Sequence, residues 1–330
     1  MDPQILYYSY DKEITIGNLK EKTDFKWCDF SAIEKFMTEN NVHWIIDWWE
    51  DFHYKFLLIK SKPYIIYYKW NLEILNKPIL WIVGPRKMSD YAVQVLRKLF
   101  DGASNYDMVT ISWMADGVDQ LCHDLSIENW IRTIAVLGWW LKRQLDTPKR
   151  NWIEKIVSAW WLVLSEYKLD MEPTDYSFPQ RNRIIAWLCD VLFLPEAGEK
   201  SGSLITADFA LQMGKQVCGV PNSIFSSNSD GLNKLISSGQ INVVVNMEEF
   251  LSKHFKKKNM ENQKFDRNQN KNLSEKEKKI LMILSENNWW SLQSLISLSW
   301  INADEIIPIL TMLEMQGLIY QEWADIYKIR

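Results

Sequence analysis

From Pro78 to about Phe255, short continuous apolar runs alternate with amphipathic stretches. Ile79–Val83, Met108–Ser112, Thr133–Leu137, Trp161–Ser165, Asp190–Leu194 and Gln216–Val220 read as strands, without the polar alternation of a sheet wetted on one face. Such strands are buried on both sides, and the helical stretches between them predict an α/β domain over residues 76–255: a doubly wound, mainly parallel sheet under two helical layers. The texture on either side differs. Residues 1–75 are aromatic and charged; SAIEKFMTE at 31–39 opens on Ser with Glu three residues on, so a small helical N-terminal domain is expected, ending in an apolar strand at Tyr64–Tyr68. Residues 273–330 read as three helices and a hairpin. Ser274 and Glu277 cap the first helix, Leu292–Leu298 is the second, and Ala303–Gln316 is the third, stopped by Gly317. Leu318–Tyr320 and Ile326–Ile329 then flank a turn, the outline of a winged helix. Residues 256–272 form a basic linker: the stretch 253–272 has six Lys and one Arg against Glu261 and Asp266, a local excess of +5.

Composition narrows the class. A chain of 330 residues, 47% hydrophobic and 24% charged, suits a soluble protein of two or three domains. No apolar run is long enough for a membrane span and the N-terminal stretch lacks a signal layout, so no membrane association and a cytoplasmic location are expected. Cys28, Cys122, Cys189 and Cys218 show no CxxC spacing, which indicates neither zinc nor a disulfide framework, and no cofactor is called for. The net charge of -4 excludes a wholly basic nucleic-acid binder but not a local basic site. One ratio is abnormal: there are 18 Trp and 12 Gly, where ordinary usage of about 7% Gly predicts roughly 23.

Ligands of parallel sheets sit beyond the carboxyl ends of the strands. Gly84-Pro85-Arg86, Ser112 to Asp119, Gly138 to Leu141 and Ser165-Glu166 all fall there. In Phe178–Ala207, Arg181, Asn182 and Arg183 precede a strand and the Ser201-Gly202-Ser203 loop that opens a helix. Helix N-termini and hydroxyls cradle phosphate, and forked guanidinium donors match its oxygens in pairs. Together these segments point to an anion site. The four histidines are scattered, and His123, one helical turn beyond Asp119, reads as a packed helix residue rather than a base.

The ordered series IVGPRKMSDYA (82–92), TISWMADGVDQLCH (110–123), TIAVLGWWL (133–141), LSEY (164–167), FPQRNRIIAWL (178–188), SGSLITA (201–207) and SDGLNKLISSG (229–239) resembles the DNA-processing protein A (DprA/Smf) family. The likeness covers roughly residues 60–250, and the order of the motifs is more specific than any one of them. It implies a Rossmann-like domain that binds single-stranded DNA, forms a homodimer, protects incoming DNA and loads the RecA recombinase in natural transformation. It places Arg86, Lys87, Arg181, Asn182, Arg183 and Ser201–Ser203 in the pocket. Asp116 and Asp119 would repel phosphate and read as hydrogen-bond partners. The helix Leu232–Ser237 and the edge at Val243–Val245 are candidate dimer surfaces. The competing readings are a nucleoside-monophosphate phosphoribohydrolase-like enzyme, for which Glu196 and Glu199 are the available carboxylates, and a nucleotide-sensing module.

The departures from the family pattern are systematic. Trp113, Trp139, Trp140, Trp161 and Trp187 stand where it has Gly; Trp70, Trp81, Trp130, Trp300 and Trp323 stand where Gly would fit. Three explanations compete: a Trp-rich protein, indoles that stack on bases, and a gene that uses UGA for glycine but is read with UGA as tryptophan. The third lowers Gly and raises Trp together, as observed. It leaves these indoles no role in binding.

Overall fold

The computed structural model describes residues 31–46, 53–59, 62–138, 150–159, 161–167, 177–258, 273–286, 290–299, 301–323 and 326–329. Two compact units divide the chain, Met1–Lys257 and Lys258–Arg330. In the first, the described elements run α1 (Ser31–Glu39), β1 (His43–Ile46), α2 (Tyr54–Leu57), β2 (Ile65–Lys69), β3 (Ile79–Ile82), α3 (Asp90–Ala103), β4 (Val109–Ser112), α4 (Val118–Glu128), β5 (Arg132–Leu137), α5 (Arg150–Ser158), β6 (Leu162–Ser165), α6 (Ser177–Leu188), β7 (Val191–Leu194), α7 (Gly202–Gln212), β8 (Gln216–Gly219), α8 (Asp230–Ser237), β9 (Asn242–Val243) and α9 (Met247–His254).

Nine strands form one sheet in the order β1-β2-β6-β5-β4-β3-β7-β8-β9. From β6 through β9 every neighbouring pair is parallel, the arrangement that unbroken apolar strands require. β3, β4, β6 and β7 are buried at all four positions. Leu80, Ile82 and Phe193 meet Leu96, Leu99 and Phe100 of α3 and Val118 and Leu125 of α4 in a core cluster. The chain leaves β3 through β4, β5 and β6 on one side and returns through β7 and β8 on the other. The strand order therefore reverses at β3, and a crevice opens beyond the carboxyl ends of the strands there.

Before Pro78 the described residues contribute two strands to the sheet, where the sequence suggests a small helical domain. β1 and β2 join the main sheet, with β2 antiparallel to β6 (Tyr67 opposite Ser165) and β1 antiparallel to β2. The reason is an edge: without β2, β6 would leave a row of backbone donors and acceptors unpaired. Ile65, Ile66 and Tyr67 bury on docking there.

Five described helices end in the same capping motif, in which the residue two past the last helical one takes a left-handed conformation. At α7, α8 and the C-terminal helix Ala303–Met315 that residue is Gly214, Gly239 or Gly317, with φ of 71°, 70° and 70°. At α1 it is Asn41, the usual second choice, at 49°. At α4 it is Trp130 at φ 56°, whose N–H donates to Ile127 O (3.2 Å) while Ile131 N–H donates to Ser126 O (2.8 Å). Trp70 lies further into glycine territory, at φ 86°. A bulky side chain is a steric outlier there. Trp81 and Trp161 are fully buried, and their indole N–H groups meet no hydrogen-bond acceptor. Trp139, Trp140 and Trp300 lie outside the described residues.

In the second unit the described elements are α10 (Glu275–Glu286), β10 (Trp290–Ser291), α11 (Leu292–Ser299), α12 (Ala303–Met315), β11 (Ile319–Trp323) and β12 (Ile326–Ile329), of which β10 is not among those expected from sequence. The strands pair as β10-β12-β11. Ser274 and Glu277 form the reciprocal cap, Ser274 N–H donating to Glu277 Oε2 at 2.7 Å and Glu277 N–H to Ser274 Oγ at 3.3 Å.

Candidate nucleic-acid interface

A cleft of about 990 Å³ opens at the point where the strand order reverses. The turns after β3, β4, β5, β7 and β8 supply its walls: Gly84 to Arg86, Trp113 to Asp116, Gly138, Gly198 to Ser203, and Ser227 with Asn228, joined by Asn182 of α6. Close backbone packing holds these turns together. A Cβ on Gly117, at φ 85°, would lie 2.4 Å from Pro85 O and 2.5 Å from Arg86 O, so the β3 and β4 turns can touch only through glycine. A Cβ on Gly231 would meet Gly198 O at 2.7 Å, which locks the β7 turn onto α8.

The phosphate-type corner is the start of α7. Ser201 caps the helix, its Oγ accepting from Ser203 N–H at 3.3 Å, and the two serine hydroxyls bond each other at 2.6 Å. The hydroxyls expected to face a ligand are thus engaged in the cap, and the N–H of Gly202, the first residue of α7, is one of the helix-start donors that the helix itself cannot pair. A Cβ on Gly202 would meet nothing within 4 Å, so the space beside the start of α7 is open. Lys200 stands beside it and Arg86 faces the cleft from the β3 turn.

The other charged residues of the lining are acidic: Asp116, Asp119, Glu199 and Asp230. Glu199 is ion-paired with Lys234, whose hydrogen bond holds its carboxyl below the usual range. Asp119 is almost wholly buried in the first turn of α4. Cations and carboxylates thus alternate around the cleft: Lys200 lies beside Glu199 at the start of α7, and Arg86 lies against the turn that carries Asp116.

Of the residues expected from sequence, Gly84, Arg86, Gly138, Asn182, Ser201, Gly202 and Ser203 come together in this cleft. Lys87 is exposed one residue beyond Arg86 and does not line it. Ser112 is buried and donates its hydroxyl to Ile82 O at 2.6 Å, tying β4 to β3 rather than meeting a ligand. Arg183 turns to Glu166, which it pairs with at the end of β6. Burial pushes the Glu166 carboxyl up from its ordinary value, and the guanidinium pulls the other way. The other terminal nitrogen of Arg183, Nη1, is buried without a hydrogen-bond partner. The Arg181 side chain lies outside the described set. Lys200 was missed, although its place directly before Ser201 was a usable signal.

His123 is buried, as the sequence implied, and belongs to a chain of hydroxyls. Its Nε2 lies 3.0 Å from Trp113 O, an acceptor, so Nε2 carries the proton and donates; Nδ1 then accepts from Thr133 Oγ1 at 2.8 Å, and Thr110 Oγ1 donates to Thr133 Oγ1 at 2.8 Å. Burial pushes its pKa down to about 4, so the ring is neutral and pins the β4 turn of the cleft.

Comparison with known proteins decides the family. The family model of DNA recombination-mediator protein A matches residues 44–255. The chain belongs to this family. The pneumococcal (Streptococcus pneumoniae) DNA processing protein DprA is 37% identical over 182 residues, 55% of this chain and 64% of that protein. Its Bacillus subtilis counterpart is 34% identical over 183 residues, 55% of this chain and 61% of that protein. The match thus spans a little under two thirds of these relatives. Among solved structures, DNA processing protein A of Streptococcus pneumoniae superposes with a TM-score of 0.60 at 29% identity, covering 77% of this chain and 92% of that one. The Helicobacter pylori protein, described for its single-stranded DNA binding mode, gives a TM-score of 0.57 at 28% identity and covers 64% of this chain and 94% of its own. These likenesses place the nine-stranded α/β sheet in the Rossmann-like architecture of the DNA recombination-mediator protein A family. Among the described residues no helix is long and apolar enough to cross a membrane.

Proposed function

We propose that this protein binds single-stranded DNA in the cleft of its parallel sheet, shields it, and passes it to a RecA-class recombinase in the cytoplasm. One observation carries the reading: Arg86, Lys200 and the Gly202 N–H converge at the strand-order reversal, where sheet proteins of this class hold phosphorylated ligands. Phosphate contacts of this kind bind any sequence, which a loading factor needs. Asp116, exposed in the β4 turn, suits the amino and imino donors of bases rather than phosphate. The names borne by the relatives and the neighbour from Helicobacter pylori favour the same ligand.

The enzymatic alternative is less well supported. Glu196 is fully buried and its Oε2 accepts from Ser89 N–H (3.1 Å) and Ser89 Oγ–H (2.6 Å), gluing the β7 turn to the cap of α3. Glu199 is occupied by Lys234 at the surface. Release of free base from nucleoside monophosphates would contradict the binding-only reading.

Gly202→Ala is expected to fold normally, since its Cβ meets open space, and to weaken single-stranded DNA binding about tenfold by covering one charge-assisted donor. Anisotropy titration with an oligothymidylate, alongside thermal unfolding, measures both. Unchanged affinity in the folded variant overturns the α7 corner as the phosphate site.

A homodimer is part of the proposal. β9 is the sheet's outer edge, and Val243 and Val245 are 47% and 81% exposed on and just after it. A bare apolar edge strand is a ready template for a second copy. A monomer at micromolar concentration by sedimentation, still binding DNA, would contradict this.

A further inference from the structure

The turn between β8 and α8, residues 220–229, carries two large apolar side chains in open water. Phe225 is 93% exposed and Ile224 is 80% exposed. Among the described residues nothing covers them, and neighbouring exposed apolar residues of this size mark a contact surface. Their position is specific. Ser227 and Asn228, two and three residues on, line the DNA cleft. Ile205, one turn into α7 from the phosphate corner, is a cleft residue and 72% exposed.

The turn is held firmly. Asn233 Nδ2 donates to Asn222 O at 3.0 Å and Asn222 N–H returns to Asn233 Oδ1 at 3.2 Å. Ser223 N–H donates to Asn222 Oδ1 at 2.6 Å, and Phe225 N–H to Ser223 Oγ at 3.2 Å. From α3, Tyr91 Oη donates to Pro221 O at 2.7 Å. Bonds across this span fix the backbone that carries the phenyl ring, so little ordering is needed when a ligand arrives.

We infer that Phe225, backed by Ile224, is a stacking platform for an unpaired base of the strand whose phosphate sits at Gly202 and Lys200. The inference rests on the DNA reading above and adds an exposed aromatic face for bases at the rim of the cleft, beside Ser227 and Asn228. An aromatic platform accepts every base because each has a π-face, so it adds affinity without sequence preference. Single-stranded rather than duplex ligand follows from the same geometry, because paired bases keep their faces stacked on one another.

The test uses the full chain and two probes of equal length and charge, an oligothymidylate and an abasic strand with the same phosphates. Phe225→Ala is expected to weaken thymidylate binding about tenfold, within the range for loss of one stacked base. Binding of the abasic strand should be unchanged, and Phe225→Tyr should restore thymidylate affinity. Equal affinity of wild type and Phe225→Ala for thymidylate overturns the inference, as does an equal loss on both strands. The phosphate reading fails separately, if Gly202→Ala binds the abasic strand as well as the unaltered protein does.

Discussion

Trp70→Gly and Trp130→Gly, made together, should stabilise the protein. At φ of 86° and 56° each indole-bearing residue sits in the left-handed region, where an L side chain is strained by about 1–2 kcal/mol. Gly214, Gly239 and Gly317 occupy the position equivalent to Trp130 without that strain. Trp130 is 47% exposed, so little packing is lost on truncation. The pair is therefore expected to gain about 2–4 kcal/mol, with Tm rising roughly 2–4 °C for each kcal/mol in a unit of this size. Thermal unfolding of the double variant checks it, and a fall in Tm would show that these indoles pack natively. Trp81→Gly and Trp161→Gly give the sharper contrast. Truncating a native, fully buried Trp should cost about 3–5 kcal/mol. If glycine belongs there, the variants will instead be neutral or better, because two buried indole N–H groups without acceptors are removed. UGA at these codons in the gene would give the cause.

The second large effect is on acid stability. His123 has a folded pKa of about 4 against an ordinary value of 6.5, so the unfolded chain takes up the proton first as pH falls. The neutral ring's contribution is complete above pH 6.5 and is lost on the way down to about pH 4, by about 1.4 kcal/mol per pH unit and roughly 3 kcal/mol in all. His123→Gln can still donate to Trp113 O and accept from Thr133 without titrating. Urea unfolding at pH 7.5 and 4.5 should show a smaller acid loss in this variant, by about 2–3 kcal/mol. An identical loss in both would remove His123 from the account.

These cases also mark how far the sequence could be read. Six of the seven parallel strands were legible because burial on both faces makes strands such as ILWI and VLFL apolar at every position, and the crevice followed from their common direction. β1 was not: HWII is four residues long, and its place depends on the distant partner β2. The same limit governs the site. Sequence marks Arg183 and Ser112 as polar groups near a crevice but does not show that Glu166 and the Ile82 carbonyl already occupy them. Lys200 and Phe225 escaped for the opposite reason, since a single Lys or Phe in a polar turn carries no pattern until exposure and neighbours are known.

The central claim is that Arg86 and Lys200 hold strand phosphates beside Gly202. The slope of log K against log salt for oligothymidylate binding tests it most directly, comparing the unaltered chain with Arg86→Ala/Lys200→Ala. Two lost contacts should reduce the slope by about 1.4, at roughly 0.7 per single-strand phosphate, and weaken all sequences alike. An unchanged slope in a folded double variant would contradict the claim.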